Sequence, residues 1–406
     1  MDATLSRIWD QNRRALLEDT LPFWLRHGID REHGGYRFYL DRDGSAYGDD
    51  KPVWLHGRFV WLLATLYADI EARPEWLELA RHGADFLRRH AFDTDGRMFF
   101  LLDRTGRPLR KRRYFFSEVF AAMAFSALAR VTGDPQDLAD AARLVATLET
   151  CLVDPDTSSP KFPPKWEPGT RPSQGLAGSM AVLRAAQEFR KVDTTGLADR
   201  LATGCVNRIR DHFVKEEFEA VLETVGPDGE FIDTPEGRLL CPGHAIEAGW
   251  FILEEAVRRR PHDAGLVRLG SKIIDWSWHR GWDNEYGGLL YFRDVLGKPC
   301  TEYWHDMKFW WPHNEAAIAT LMAWRLTGEA HHLERFHQVY DWAMAHFPDP
   351  EYGEWFGYLH RDGRLSTPVK GGCWKGAFHL PRMQLYLGWF IDRLVTPDAA
   401  QQEAVS

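Results

Sequence analysis

The chain has 406 residues, a hydrophobic content of 44% and a net charge of −9, with a pI near 6.0. This acidic balance argues against nucleic-acid binding, and no stretch approaches the ~18 consecutive apolar residues of a membrane helix. The N-terminus shows no signal-peptide pattern and the five cysteines form no CxxC pair, so we expect reduced thiols and a cytoplasmic location. The short basic run Arg110–Tyr114 is interpreted as a solvated loop.

A short phrase recurs along the chain. An acidic turn is followed by glycine, then by an aromatic-rich run, then by a second turn. Glycine supplies the positive φ angles of tight turns, and alternating aromatic residues between two turns are typical of a β-hairpin. The three clear copies are DREHGGYRFYLDRDG from Asp30, DNEYGGLLYFRD from Asp283 and DPEYGEWFGYLHRDG from Asp349.

Weaker copies of the phrase complete a long-range repeat. Two begin at Asp93 and Phe218, and a proline-rich segment from Asp154 is a degenerate copy. The copies lie roughly 61 to 66 residues apart, so six units of this size fill the chain. Each unit has room for two helices of ordinary length besides the hairpin.

The segments between the copies predict two kinds of helix. Glu75–Phe92 is amphipathic, whereas Ser117–Asp134 is apolar nearly all round and reaches a helix-stopping glycine at Gly133, as expected of a buried inner helix. The apolar face of the first helix comprises Leu77, Ala80, Ala84 and Leu87. Alternation of the two kinds predicts an all-α fold, an (α/α)6 barrel of six helical hairpins with short β-hairpins at one end, in a single domain over residues 1–406. An open α-solenoid is the alternative, and six units without an obvious capping repeat favour closure.

Polar residues recur where each hairpin leads into the next predicted inner helix. If all hairpins leave one end of the barrel, these residues gather at one mouth. His244 and Glu247 lie three apart on one helix face and can pair. His313 and Glu315 lie two apart and diverge, so we expect Glu315 to face the cavity and His313 to lie nearer the helix cap, where it can have a structural role. The full set is Arg58, Glu118, His244, Glu247, His313, Glu315, Lys375 and His379.

Two histidines with an arginine and glutamates suit proton transfer beside a carbonyl group. Imidazole takes and returns protons near neutral pH, and arginine stabilises the enediolate that forms. Two imidazoles on opposite faces would invert a stereocentre, whereas one would move a carbonyl from C1 to C2. A metal site is less favoured because HExxH and paired cysteine ligands are absent from the sequence. A glycoside hydrolase with two carboxylates and a protein-binding module are further alternatives.

Seven segments resemble, in order and spacing, signatures of the N-acylglucosamine 2-epimerase family. They are DREHGGY, VWLHGR, FSEVF, PGHAIEAGWF, MKFWWPHNEA, EYGEWFGYLHRDG and KGGCWKGAFHLPR. The resemblance covers nearly the whole chain. It implies an (α/α)6 barrel, often a homodimer, that interconverts N-acetyl-D-glucosamine and N-acetyl-D-mannosamine. It also implies no required cofactor and ATP as an allosteric activator.

The resemblance also implies roles for individual residues. Essential positions are matched by Arg58, His244, Glu315 and His379, and Glu247 matches the residue that supports the first histidine. The expected sugar-facing residues are Glu118, Arg238, Trp311 and Trp54. One histidine removes the C2 proton of the ring-opened sugar, Arg58 with a glutamate steadies the enediolate, and the other histidine reprotonates the opposite face.

Three places depart from the vertebrate branch of the family. They are His56, the pair Trp304–His305, and the segment SQGLAGSM, all expected near the cavity mouth. The alternative substrate is therefore an unmodified hexose such as D-mannose, for an epimerase or an aldose–ketose isomerase.

Overall fold

The computed structural model describes residues 3–153, 170–258 and 262–392, so the degenerate repeat from Asp154 lies outside the described residues. In these ranges no helix has both the length and the apolar character needed to cross a membrane. In chain order the helices are α1 (Ala3–Arg14), α2 (Leu21–His27), α3 (Val53–Asp69), α4 (Pro74–His90), α5 (Phe116–Thr132), α6 (Pro135–Val153), α7 (Leu176–Phe189), α8 (Leu197–Arg208), α9 (Pro242–Arg258), α10 (Ala264–Gly281), α11 (Trp310–Thr327), α12 (Ala330–His346) and α13 (His379–Asp392). A π-helical turn, Ala15–Thr20, joins α1 to α2.

These helices form two concentric rings. Helices α3, α5, α7, α9, α11 and α13 are buried nearly all round and form the inner ring, while the others pack outside them. The two predicted kinds of helix are confirmed. Amphipathic α4 buries one face, and apolar α5 ends at Gly133, whose φ of 66° is the left-handed cap expected of glycine. Helix α1 packs on α13, so the first and last described helices are in contact.

Short strands connect neighbouring units. In chain order they are β1 (Lys51–Pro52), β2 (Leu101–Leu102), β3 (Pro108–Arg110), β4 (Gln174–Gly175), β5 (Val214–Lys215), β6 (Ala220–Val221), β7 (Thr224–Val225), β8 (Leu239–Leu240), β9 (Arg293–Asp294), β10 (Lys308–Phe309), β11 (Tyr358–Leu359) and β12 (Leu365–Thr367). Four antiparallel strand pairs link the segment before one inner helix to the hairpin of the next unit. They are β1–β2, β4–β7, β8–β9 and β10–β11. All the inner helices that follow these strands therefore start at the same end of the barrel.

A buried aspartate opens each clear copy of the repeat and binds a lysine and an arginine, and Asp30 also contacts Arg37 at 3.4 Å. The aspartates are Asp30, Asp283 and Asp349. A buried lysine before the following inner helix approaches each carboxylate, namely Lys51, Lys308 and Lys370 at 3.0, 2.9 and 3.0 Å. An arginine from the next unit around the ring completes each set, namely Arg104, Arg361 and Arg42 at 3.5, 2.8 and 2.8 Å. Burial alone would raise the pKa of Asp349, but hydrogen bonds from Arg42 and Lys370 hold that pKa well below its ordinary value.

The set at Asp349 closes the ring. Arg42 belongs to the first unit and Asp349 to the last, and two parallel hydrogen bonds of 2.8 and 2.9 Å join them. On the inner ring, the Phe378 and Trp61 ring centroids lie 5.4 Å apart, which brings the last unit against the first. The barrel is closed, and the open solenoid is excluded.

The basic run Arg110–Tyr114 is not the fully solvated loop that its charge predicts. The Arg112 side chain is 3% exposed and donates to Asp93 and Asp95. Arg113 lies over the Trp374 ring, 4.6 Å from its centroid. The run is partly buried because Arg112 forms ion pairs with the two aspartates of the acidic turn of the second unit.

We predict that Asp349→Asn lowers the free energy of unfolding by about 3–5 kcal/mol, because Lys370 would stay buried without a counter-charge. Chemical denaturation monitored by circular dichroism measures the change. Asp362→Asn is the control, since Asp362 pairs with the exposed Arg364 and should change stability little. Equal effects of the two substitutions would contradict this account of ring closure.

Candidate active site

Side chains from four inner helices meet at the end of the barrel where the hairpins lie. Trp311 of α11 packs against both His244 of α9 and His379 of α13, with ring centroids 5.0 and 5.6 Å away. The guanidinium carbon of Arg58 of α3 lies 4.4 Å from the ring centroid of Phe378, the residue that directly precedes His379. The structure therefore brings together the residues that the sequence places in distant units.

Arg58 is a buried cation with unused hydrogen-bonding capacity. It is 8% exposed, and its guanidinium carbon lies 4.2 Å from the Trp54 ring centroid and 4.0 Å from that of Phe120. Its Nε has no hydrogen-bond partner among the described residues. Burial, together with nearby Arg382, lowers the pKa of Arg58 to about 9, against the opposing pull of Glu247. A guanidinium that stays charged at neutral pH, with a free donor, is suited to an oxyanion.

His379 is held with one nitrogen free to accept a proton. Its Nδ1 donates to Glu315 Oε1 at 2.7 Å, which leaves the lone pair on Nε2. Glu315 is fully buried and also accepts from Trp250 Nε1 at 2.9 Å and from Arg382 at 2.7 Å. Burial, followed by the charges of Arg58 and Arg382, lowers the pKa of His379 well below its ordinary value. Its resting form is the neutral imidazole.

His244 has the opposite electrostatic environment. Its Nδ1 donates to Glu223 Oε1 at 2.9 Å, and its side chain is 26% exposed. Burial opposes ionisation, but Cys241 and Glu223 outweigh it and hold the pKa of His244 well above its ordinary value. One histidine is therefore poised as a base and the other as an acid, and such separated pKa values mark acid–base pairs in enzymes.

Glu247 does not support His244 as the resemblance implies. It pairs with Arg382 of α13, and Glu223, from the segment between β6 and β7, takes the position at the His244 ring. Arg382 joins Glu247 to Glu315 because burial of two carboxylates requires a cation between them. Sequence reasoning missed Glu223 and Arg382. The position of Arg382, three residues after His379 on the same helix, was the available signal.

Comparisons with known proteins show which family the chain belongs to. A sequence model of the N-acylglucosamine 2-epimerase (GlcNAc 2-epimerase) family matches residues 34–380. The chain belongs to this family. It is 41% identical to the N-acylglucosamine 2-epimerase of Bos taurus over 386 residues, which are 93% of this chain and 89% of the relative. It is 36% identical to that of Homo sapiens, over 93% of this chain and 88% of the relative.

Solved structures confirm the barrel. The cellobiose 2-epimerase of Spirochaeta thermophila DSM 6192 superposes with a TM-score of 0.83 at 22% identity, covering 97% of this chain and 99% of that one. A D-mannose isomerase superposes with a TM-score of 0.80 at 19% identity, covering 93% and 97%. At such identities the likeness shows the fold, while the family and the closer sequence relatives make this chain a carbohydrate epimerase, an isomerase.

The four residues predicted to face the sugar divide into two groups. Trp54 packs against Arg58 and Trp311 packs against the two histidines, so both tryptophans line the candidate site. Glu118 is buried and accepts from Arg97 Nε at 2.7 Å and from the Met98 amide at 2.9 Å. The fourth, Arg238, binds Asp294 at 2.9 Å and Asp233 at 2.7 Å. These ion pairs account for Glu118 and Arg238 without a sugar.

His56 and His313 are structural residues of the epimerase fold. His313 Nδ1 donates to the Phe309 carbonyl at 2.6 Å and its Nε2 accepts from the Leu289 amide at 2.9 Å. His56 makes the equivalent bonds to Pro52 and Tyr36. Burial lowers the pKa of both to about 3, so both are neutral. The sequence predicts that His56 lies near the cavity mouth. The structure places it instead at the base of a hairpin.

In the sixth unit an ion pair takes the place of the structural histidine that the first and fifth units have. In the first and fifth units a glycine with positive φ, Gly35 or Gly288, faces the histidine, and a β-carbon there would lie within 2.8 Å of Nε2. Glu354 occupies the matching position with φ of 55°, and its carboxylate accepts from Lys375 Nζ at 2.8 Å and from Trp24 Nε1 at 2.6 Å. This buried pair fixes the segment that leads into His379.

The cluster of Glu247, Glu315 and His379 is not suited to a divalent metal. Donor atoms of the three residues lie within 4.8 Å of one another. However, Arg382 Nη2 binds both Glu247 and Glu315. The guanidinium already provides the positive charge that an ion would bring.

We predict that Lys375→Met lowers the free energy of unfolding by about 3–5 kcal/mol, because the Glu354 carboxylate would remain buried without the cation bound to it. The double variant Glu354→Gly with Lys375→His imports the glycine–histidine arrangement of the first and fifth units and should recover most of that loss. A double-mutant cycle from denaturant unfolding measures the coupling. Simple additivity of the two single substitutions would contradict the assignment.

Proposed function

We propose that the protein interconverts N-acetyl-D-glucosamine and N-acetyl-D-mannosamine by removing and returning the proton at C2 of the ring-opened sugar. One observation carries this proposal. His244 and His379 both pack against Trp311, lie beside a buried arginine and have opposite protonation states at rest. Epimerisation at a carbon beside a carbonyl needs a base on one face and an acid on the other.

In the proposed reaction His379 Nε2 takes the C2 proton. The electron pair of the broken C–H bond passes into the C1 carbonyl, and the negative charge collects on O1, where Arg58 stabilises it. Glu315 stabilises the imidazolium that forms on His379, since its carboxylate already accepts from Nδ1. His244 then gives its Nε2 proton to C2 from the opposite face, and in the reverse direction the two histidines exchange roles.

The acylamino substrate is supported by the relatives. Proteins named N-acylglucosamine 2-epimerase are 36–41% identical to this chain over nearly its full length, whereas those named cellobiose 2-epimerase are 23–26% identical. An unmodified hexose such as D-mannose is therefore the less favoured substrate. ATP as an allosteric activator, a homodimeric assembly and a cytoplasmic location stay predictions that rest on the family resemblance.

Product analysis tests the substrate assignment. We expect N-acetyl-D-mannosamine to yield N-acetyl-D-glucosamine by NMR, with D-mannose turned over far more slowly under the same conditions. Parallel reactions with and without ATP test the predicted activation. Conversion of D-mannose to glucose or fructose at the higher rate would reject the acylamino assignment.

We predict that His244→Asn and His379→Asn each slow epimerisation by about 10²–10⁴-fold, the usual contribution of a general acid or base. Each variant should still exchange the C2 proton of the one epimer that faces its remaining histidine. NMR in D₂O follows exchange for both epimers separately. His313→Asn is a control for loss of a buried histidine, and should alter stability more than the exchange pattern. Equal exchange of both epimers in either variant would contradict the two-face assignment.

We predict that Glu223→Gln moves the alkaline limb of the kcat/KM profile to lower pH. The Glu223 carboxylate helps to raise the pKa of His244, so its neutralisation lowers that pKa. Activity that needs the imidazolium is then lost at a lower pH. The exposed substitution Glu217→Gln is the matched control. An alkaline limb that stays in place in Glu223→Gln would show that His244 is not the titrating acid.

A further inference from the structure

A second group of metal-ligating side chains lies behind the His244 ring. Cys241 precedes α9, His244 lies in its first turn, and Glu223 reaches them from the segment between β6 and β7. A donor atom of each residue lies within 4.8 Å of the others. Cys241 is buried, and Glu223 Oε2 is shielded from solvent without a hydrogen-bond partner in the described part of the chain.

We propose that Glu223, Cys241 and His244 form a binding site for a thiophilic divalent cation, zinc or cadmium, and that the bound ion inactivates the enzyme. Binding itself rests only on the three donors, and the inactivation rests on the proposed function of His244.

The donor set fits such an ion. A thiolate, an imidazole and a carboxylate are the ligands that zinc takes in proteins, and three protein ligands leave a fourth position for water. Cys241 binds the ion as the thiolate, and the ion displaces the Nδ1 proton of His244 to solvent. The side chains of His244 and Glu223 are 26% and 16% exposed, so an ion can reach both from solvent.

The absence of a competing cation distinguishes this cluster. Within residues 3–153, 170–258 and 262–392 there are two other groups of this kind, and an arginine already occupies each. Arg382 binds the carboxylates beside His379, and Arg335 binds Asp275 beside His331 and His332. Across the same ranges no lysine or arginine pairs with Glu223, whose ionic contact is His244.

An ion at this position would block the proposed proton transfer. Nδ1 is the nitrogen that faces Glu223, so the ion would replace the Nδ1 proton. The ring then keeps its proton on Nε2, and with the metal on the other nitrogen it has no site left to accept one. His244 would no longer alternate between acid and base, and turnover would stop in both directions.

Cadmium binding tests the site without any sugar. Equilibrium dialysis counts bound Cd²⁺, and the ultraviolet thiolate-to-cadmium absorption shows whether a cysteine is a ligand. We expect one thiolate-bound ion per chain in the wild type and in Cys373→Ser, which removes a partly exposed thiol elsewhere. Cys241→Ser should lose the absorption and bind more than about tenfold more weakly, since loss of even an outer-shell partner costs that much. Absence of the absorption in the wild type, or equal binding by Cys241→Ser, would overturn the site.

Two further measurements test whether the variant is folded and whether the bound ion inactivates the enzyme. Circular dichroism establishes that Cys241→Ser is folded, and Glu223→Gln, which keeps the thiol, should also bind Cd²⁺ more weakly. Zn²⁺ should inhibit wild-type epimerisation and inhibit Cys241→Ser at least about tenfold less effectively. Equal inhibition of the two would overturn the regulatory role. A chain that binds Cd²⁺ at Cys241 but turns over no sugar would refute the proposed function and leave the metal site standing.

Discussion

The barrel depends on buried carboxylates that tie the first, fifth and sixth units to the units that follow them around the ring. An aspartate at the first turn of a unit binds a lysine of its own unit and an arginine of the following unit, and both lysine and carboxylate are shielded from water. Such a set is costly to break because one buried charge would be left alone. At Asp349 the arginine comes from the first unit, so the same local interaction that spaces the units also closes the ring.

Closure of the ring gives His244 and His379, the two histidines of the candidate site, unequal surroundings. Each donates Nδ1 to a glutamate, so hydrogen bonding alone does not separate them. The difference comes from the neighbouring charges. Burial, followed by the charges of Arg58 and Arg382, lowers the pKa of His379, whereas Cys241 and Glu223 outweigh burial and raise the pKa of His244. The two buried arginines on one side of the cavity thus help to keep His379 neutral at rest.

Much of this arrangement was predictable because it is encoded locally. Acidic turns with glycine fix the repeat, and helical periodicity separates inner from outer helices. Partner choice was not predictable, since it depends on tertiary contacts. Glu247 is one turn from His244 yet binds Arg382, which is 135 residues away. The structural role of His56 had a visible signal, because Lys51–His56 and Lys308–His313 share the same five-residue spacing before an inner helix.

Proton transfer between two faces of C2 is the central claim, and isotope incorporation tests it most directly. The wild-type protein would be incubated with N-acetyl-D-glucosamine in D₂O and sampled early by NMR. The account predicts deuterium at C2 of the N-acetyl-D-mannosamine formed, while recovered N-acetyl-D-glucosamine still carries its proton. Product that retains the original proton at C2, or the absence of product, would contradict it.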